Sequence, residues 1–374
     1  MKIQMVDLCG QYRHIKTEID DEIQRVINSA AFINGGKVKE FADNLARYAG
    51  AKYVIPCGNG TDALQIALMA LGLRPGDEVI VPAFTYVASA EVIALLGLTP
   101  VMVDVDPDSF NVTVDNIERG ITSRTRAIIP VHLFGQSCDM HTILTLAKTY
   151  SLFVVEDNAQ AMGAVYTFPD GSERKTGTMG NIGCTSFFPS KNLGCFGDGG
   201  ALMTDDALLA ERIRMIANHG QKKKYHHSII GCNSRLDTLQ AAVLNVKLRY
   251  LDEYGQARRA AARYYTKGLK EVKGIEVPKE EPYTTHVYHQ YTLRVKDGRR
   301  DELRAFLAVA GIPSMIYYPL PLQDQEAFRG VTRQAETLTV ASALAASVLS
   351  LPIHTELTPE QQDFIIGRIK EFYC

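Results

Sequence analysis

No C-x-x-C pair occurs among the seven cysteines, which stand scattered at Cys9, Cys57, Cys138, Cys184, Cys195, Cys232 and Cys374. That odd, dispersed set argues against a disulfide framework and against a zinc site, so no metal is expected. It reads as reduced thiols in a cytoplasm. Long hydrophobic runs are missing too: no apolar stretch approaches the roughly 20 residues of a membrane span, and the opening MKIQMVDLCGQYRH holds no apolar segment of signal-peptide length. A cytoplasmic chain with no membrane partner is the expectation. Charge of one sign is also scarce. With 40 Lys and Arg against 42 Asp and Glu, the net charge of -2 predicts no general attraction to nucleic acid. Nucleotide-fold signatures are absent as well: GNGTDA at 58–63 lacks the lysine of a Walker loop, and no G-x-G-x-x-G opens a first βαβ unit. An ATP or NAD reading is weakened accordingly. Repeats, low-complexity tracts and disordered linkers are not found.

What is present is a chain of 374 residues, 46% hydrophobic and 22% charged, which suits one large enzyme subunit of two lobes. From about Lys52 to Ala159, short β-branched runs (DEVIVPA, TPVMVDVD, TRAIIPVHL, LFVVEDNA) alternate with helical patterns such as TDALQIALMALGL and HTILTLAKTY. That rhythm predicts an α/β fold, a mostly parallel sheet covered by helices on both faces. After Asn233, the stretch SRLDTLQAAVLNVKLRYLDEYGQARRAAARYYTKGLKE reads as one long helix bridging to a smaller α/β lobe. Residues 1–250 are therefore expected to form the large domain with its N-terminal segment, and 251–374 the small one.

The stretch TSFFPSKNLGCFGDGGA, Thr185 to Ala201, places Lys191 in a glycine-rich connection between two strand-like pieces, where such folds put their chemistry. In EDNAQA, Glu156 and Asp157 end an apolar strand, and a carboxylate there needs a cationic partner to stay charged. An acidic loop capping a helix is the alternative for the pair alone. A lysine on a glycine-rich loop together with a strand-end carboxylate matches the two electronic demands of pyridoxal 5′-phosphate (PLP): an amine to hold the aldehyde, and a negative charge to keep the pyridine nitrogen protonated. Its phosphate needs a cradle. CGNGTDALQIAL offers Gly58 and Gly60 after a strand and Thr61 at a helix start, where backbone N–H groups bind anions, and Ser186 adds a hydroxyl. An ordinary turn and N-cap explains the same glycines. Tyr86, in PAFTYVAS, is placed either to stack on a flat ring or to fill core.

Taken in order, NGTDALQIAL, PAFTYVAS, VVEDNAQAMGA, TSFFPSKNLGCFGDGGAL and NSRLDTLQAAVL resemble the DegT/StrS family of sugar aminotransferases over nearly the whole chain. The resemblance implies fold type I, the aspartate-aminotransferase type, and a homodimer with two sites at the subunit boundary. It makes Lys191 the lysine bonded to the cofactor and the acid/base of the reaction. Asp157 would pair with the pyridine nitrogen, Gln160 would contact the phenolic oxygen, and Tyr86 would cover one face of the ring. Gly60, Thr61 and Ser186 would hold the phosphate, joined by Asn233 from the partner subunit. L-Glutamate, leaving as 2-oxoglutarate, is the implied amine donor, and a nucleotide-linked keto-sugar the acceptor. Lys191 argues against the family's lysine-to-histidine dehydratases.

NHGQKKKYHHSIIGCNSRLDTLQAA and the lysine loop look most like members that aminate C3 of a UDP-linked 2-acetamido-3-oxo-uronate, in pathways to surface polysaccharides such as lipopolysaccharide O-antigen. A dTDP-linked 3-keto or 4-keto-6-deoxy sugar is the alternative substrate, and a regulatory protein that keeps the fold without turnover is the alternative class. Arg235 is expected at a carboxylate, that of the uronate or of glutamate, with a salt bridge at the dimer boundary as the third choice. Tyr318 is expected at the sugar, although Tyr317-Tyr318-Pro319 departs from the family's His-Tyr-Pro. Asn158 replaces a common alanine, either adjusting the hydrogen bonding of Asp157 or pointing away. Lys222, Lys223 and Lys224, ahead of His226 and His227, read as a solvated loop or a diphosphate attractor.

Overall fold

A computed structural model describes residues 2–374. Three helices lead in, α1 Leu8–His14, α2 Lys16–Ser29 and α3 Gly36–Ala49, and the alternation then begins. Its strands are β1 Tyr53–Cys57, β2 Glu78–Pro82, β3 Thr99–Val103, β4 Thr125–Ile128 and β5 Phe153–Asp157. Between them run α4 Gly60–Leu71, α5 Ala88–Leu95, α6 Val114–Gly120 and α7 Met140–Thr149. A small hairpin, β6 Val165–Thr167 and β7 Glu173–Lys175, precedes β8 Ile182–Ser186 and β9 Gly200–Thr204, which flank the lysine loop. Next come α8 Ala207–Ala217, the hairpin β10 Gln221–Lys223 and β11 His226–His227, α9 Thr238–Leu248 and α10 Leu251–Leu269. The rest comprises β12 Ile275–Glu276, β13 Tyr291–Val295, α11 Arg300–Val309, β14 Arg333–Gln334, α12 Thr339–Ser347, β15 Val348–Leu351 and α13 Pro359–Tyr373.

The main sheet runs β1-β9-β8-β5-β4-β2-β3-β14. Only β9 opposes its neighbours, pairing antiparallel with both β1 and β8, while the remaining pairs are parallel. Every residue of β2 and β9 is buried, as expected when helices cover both faces of a sheet. This is the α/β architecture of fold type I. The first crossover helix is punctuated at both ends: the Asn59 side chain caps α4 by accepting from Asp62 N at 2.8 Å, and Gly72 closes it at φ 74°.

A second apolar core lies among α10, α11, α13 and the three-stranded sheet β12-β13-β15, gathering Tyr265, Leu293, Leu307, Leu349 and Ile365. The expected single long helix is two. α9 ends at Leu248 and α10 starts at Leu251, with Tyr250 at φ -100° and ψ 0°. Arg249 and Tyr250 both reach Glu18 of α2 at this break, a tertiary anchor that no glycine or proline announces in the sequence. The C-terminal portion also returns to the first core: β14 extends the main sheet beside β3, and Leu322, Phe328, Leu338 and Ala341 pack against it. Among the described residues no helix is long and apolar enough to cross a membrane.

Candidate active site

Lys191 sits in the connection from β8 to β9, and that connection folds tightly onto itself. Phe187 N donates to Gly199 O at 2.7 Å, Cys195 N to Phe187 O at 2.8 Å and Lys191 N to Phe188 O at 2.8 Å. A Cβ at Gly194 would stand 2.3 Å from Pro189 O, so glycine is required by the closeness of the turn. The loop is a rigid mount. Lys191 is half-buried, and burial lowers its amine to about 8 while the negative charge of Asp157 pulls the other way. No hydrogen bond contributes. Lys247 is also lowered to about 8 by burial, so a soft amine alone does not mark the site; the facing carboxylate does.

Asp157 is the last residue of β5, at the C-terminal edge where parallel sheets expose their chemistry. Ser89 Oγ donates to its Oδ2 at 2.7 Å and Ala159 N to its Oδ1 at 3.1 Å. Ser89, in the first turn of α5, is a support that the sequence reading missed; its only signal is a small hydroxyl three positions after Tyr86. Glu156 belongs elsewhere. It is fully buried and accepts from Gly177 N (2.8 Å), Met179 N (2.6 Å), Gly180 N (2.6 Å) and His132 Nε2 (2.9 Å). Burial by itself would raise this carboxyl, but His132 and the backbone donors hold it below its ordinary value. His132 Nδ1 accepts from Cys138 N at 3.1 Å, so Nε2 carries the hydrogen.

At the cradle, Asn59 takes the N–H of Asp62 and leaves those of Gly60 and Thr61 at the open start of α4. Ser186, ending β8, lies directly against this start: a Cβ on Gly60 would come within 2.7 Å of Ser186 Cβ. Gly200 is equally tight, with a would-be Cβ 2.4 Å from Asn59 O. Behind the cradle, Ser234 Oγ accepts from Gly58 N at 2.9 Å and donates to Asp62 Oδ2 at 2.6 Å. This ties the segment holding Asn233 and Arg235 to the first helix turn; Asn233 itself is exposed and Arg235 half-buried.

Gln160 Oε1 accepts from Phe134 N at 2.8 Å and its Nε2 donates to Tyr318 OH at 3.0 Å, which leaves one amide hydrogen for a ligand. Tyr86 is 55% exposed, its ring 6.2 Å from that of Tyr318 and tilted by 41°. Tyr318 thus belongs to the wall beside Gln160 and Tyr86. Asn158 points away from Asp157, its Nδ2 donating to Thr176 O at 2.9 Å. The lysine run lies on the exposed hairpin β10–β11, where Lys222 pairs with Glu211 at 3.0 Å. The donors at α4, the enclosed amine and the carboxylate opposite it fit PLP.

The profile described as DegT/DnrJ/EryC1/StrS aminotransferase family matches residues 13–370. A "pleiotropic regulatory protein" of Geobacillus stearothermophilus is 46% identical over 100% of this chain and 99% of its own. A UDP-2-acetamido-2-deoxy-3-oxo-D-glucuronate aminotransferase of Pseudomonas aeruginosa is 48% identical, covering 95% of this chain and 96% of its own. The solved structure of a DegT DnrJ EryC1 StrS aminotransferase from Brucella abortus superposes with TM-score 0.94 at 42% identity, covering 99% of both chains. Transaminases of dTDP-linked 3-amino sugars also match, at 41% identity, and a more distant sugar aminotransferase of Streptococcus pneumoniae was solved in PLP and PMP forms. The chain is a PLP-dependent aminotransferase and belongs to the DegT/DnrJ/EryC1/StrS family.

Proposed function

We propose that the chain transfers the amino group of L-glutamate to C3 of a UDP-linked 2-acetamido-3-oxo-uronate, as a homodimer, in the making of a surface polysaccharide. One observation carries the reaction: a half-buried amine lowered to about 8 feels the charge of a supported carboxylate, on a chain whose β8 end lies against an anion cradle. The sugar rests on the 48% identity to the uronate enzyme. When bound, PLP supplies an aldehyde that condenses with amines and a ring that accepts electrons from the bond being broken. The chain supplies the rest. Gly60 and Thr61 N–H and Ser186 Oγ hold the phosphate, with Asn233 of the partner subunit. Asp157, held in place by Ser89 and Ala159, would face the ring nitrogen. Gln160 uses its remaining amide hydrogen on the phenolic oxygen, and Tyr86 closes one face. Lys191 Nζ, populated both with and without its proton near neutrality, holds and delivers a proton. Arg235 offers a bidentate contact to a substrate carboxylate and Tyr318 borders the sugar.

The regulatory name of one relative raises the reading of a fold without turnover; the intact lysine, carboxylate and cradle oppose it. A dTDP-sugar acceptor is the second reading, favoured by the relatives at 41% identity. A half-reaction assay separates them. Glutamate is expected to bleach the visible absorbance of the purified protein, and UDP-linked 3-oxo-uronate to restore it. Restoration by a dTDP-linked keto-sugar alone would refute the UDP assignment. No bleaching by glutamate, or no pyridoxyl mass on the Lys191 peptide after borohydride, would refute the reaction itself.

A further inference from the structure

The segment Val287–Gln290 leaves the small-lobe side of the molecule and passes through the middle of the site. Asn192 Nδ2, one residue after the lysine, donates to Val287 O at 3.1 Å. Gln290 N donates to Phe134 O at 3.3 Å, the same residue whose N–H is taken by Gln160. Gly135 lets the two strands of chain touch, since a Cβ there would lie 2.9 Å from the backbone nitrogens of both Tyr288 and His289. From the far side, the buried Arg258 guanidinium of α10 donates to Tyr288 O at 3.1 Å, His289 O at 3.5 Å and Ile353 O at 3.1 Å. His289 is therefore held by its backbone from three directions. Its ring is not used in that holding: Nδ1 is buried and has no hydrogen-bond partner among the described residues, and neither has Asn192 Oδ1.

Two enclosed polar atoms with nothing to bond are costly in such a setting. Both belong to groups beside Lys191. Burial first, then the charges of Lys191 and Arg258, hold the His289 imidazole well below its ordinary range, so the ring is neutral and one of its nitrogens is a lone-pair acceptor. The charged groups that act on the imidazole are Lys191 from the β8–β9 connection and Arg258 from α10. Neither of them is a carboxylate aimed at the imidazole, so nothing there would protonate it. Resting on the reading of Lys191 as the amine that leaves and rejoins the cofactor, we infer that His289 is a positioning residue for Lys191. Neither atom is bonded by the lysine amine in the cofactor-free chain; when bound cofactor displaces the released amine, Nδ1 accepts a hydrogen bond from it and Asn192 Oδ1 accepts a second. The released amine is thus held ready at the mount instead of swinging into solvent.

Full-length protein loaded with pyridoxamine 5′-phosphate keeps Lys191 free and needs no turnover, which makes it the form to test. Nitrogen-15 spectra of its histidines are expected to show a neutral His289 ring from pH 5 to 9, with the hydrogen on Nε2 and Nδ1 bare; a hydrogen on Nδ1 overturns the inference without any variant. His289→Leu and His289→Gln follow. The Lys191 amine is read through the pH dependence of its carbamylation by cyanate, measured on the Lys191 peptide by mass spectrometry. The wild-type midpoint is expected at or above about 8, the value of the amine without these two bonds. Losing an acceptor destabilises the ammonium, so His289→Leu should lower the midpoint by about half a pH unit or more, and His289→Gln should restore part of it. A purely structural role would lower the melting temperature and leave the midpoint in place, so a folded His289→Leu protein with the wild-type midpoint also overturns the inference. Should His289→Leu fail to fold, the tautomer and the Gln variant still decide. The single-turnover rate with glutamate is expected to fall by about tenfold with KM little changed, the pattern of a misplaced reacting group. Neither the tautomer nor the cyanate titration on the pyridoxamine-loaded protein needs turnover. A wild type inert toward glutamate would then sink the proposed reaction, and the His289 result would be read independently.

Discussion

Successive side chains on a strand point to opposite faces of a sheet, and at Glu156 and Asp157 that alternation separates two carboxylates into unrelated tasks. Asp157 turns toward the lysine, supported by Ser89; Glu156 turns inward and organises His132 and the turn at Gly177–Gly180. The strand-end position made both legible as candidates in the sequence. Choosing between them required partners at positions 132 and 177–180, which no local pattern supplies. Glu156→Gln exchanges an acceptor for a group that also carries N–H hydrogens and aims them at backbone donors, so the variant is expected to lose about 3 kcal/mol in urea unfolding. The pH dependence follows from the same carboxyl. Its folded pKa lies below the ordinary 4.5, so its stabilisation is present above that value and is lost as pH falls through the lower, folded one. Wild-type protein should therefore lose stability in that acid window, and Glu156→Gln should lose less there; parallel acid profiles would contradict the role given to Glu156. Asp157→Asn tests its neighbour: cofactor binding is expected to persist while the glutamate half-reaction slows by about a hundredfold or more, because the ring nitrogen loses its counter-charge.

The cradle is a property of elements, made where the start of α4 meets the end of β8. The sequence pointed to it through Gly-Asn-Gly-Thr, and the physical reason for glycine appears only when Ser186 is brought in from 126 positions away. Gly60→Ala inserts a Cβ 2.7 Å from Ser186 Cβ, both atoms anchored to backbone, so helix and strand end must part. The expected result is a modest loss of stability, about 1–3 kcal/mol, and a PLP affinity at least about tenfold weaker by fluorescence titration. Unchanged affinity would mean that these N–H groups do not hold the phosphate. The break between α9 and α10 shows the converse case. Good helix formers run through it, so local propensity predicts continuity, and the two residues gathered onto Glu18 overrule it.

At the scale of the molecule, a second apolar core in the C-terminal part was readable from the change of rhythm after Asn233, because hydrophobic period reports which layer an element joins. The return of β14 to the main sheet was not, since two residues beside β3 carry no period of their own; Arg333 secures them by reaching Glu78 at 3.2 Å. One surface remains to be accounted for. Phe32, Ile33 and Phe196 are 43–50% exposed and cluster near the start of α9, where Thr238 N donates to Phe32 O at 2.9 Å and Phe196 N to Gln240 Oε1 at 2.8 Å. Asn233 and Arg235 lie on the chain just before it. In the proposed homodimer this face meets the partner and carries Asn233 toward the partner's cradle, so cofactor binding and assembly become linked. Phe196→Glu puts a carboxylate into the contact, while Lys247, whose Nζ lies 5.8 Å from the ring centre, offers it a counter-charge within the subunit. The fold should survive and the dimer should weaken: sedimentation is expected to shift from twice 41.3 kDa toward the single chain, with retention of PLP falling in step with the monomer fraction. A variant that is wholly monomeric yet retains the cofactor as tightly as the wild type would show that each subunit completes its own phosphate site, and Asn233 would lose its assignment to the partner.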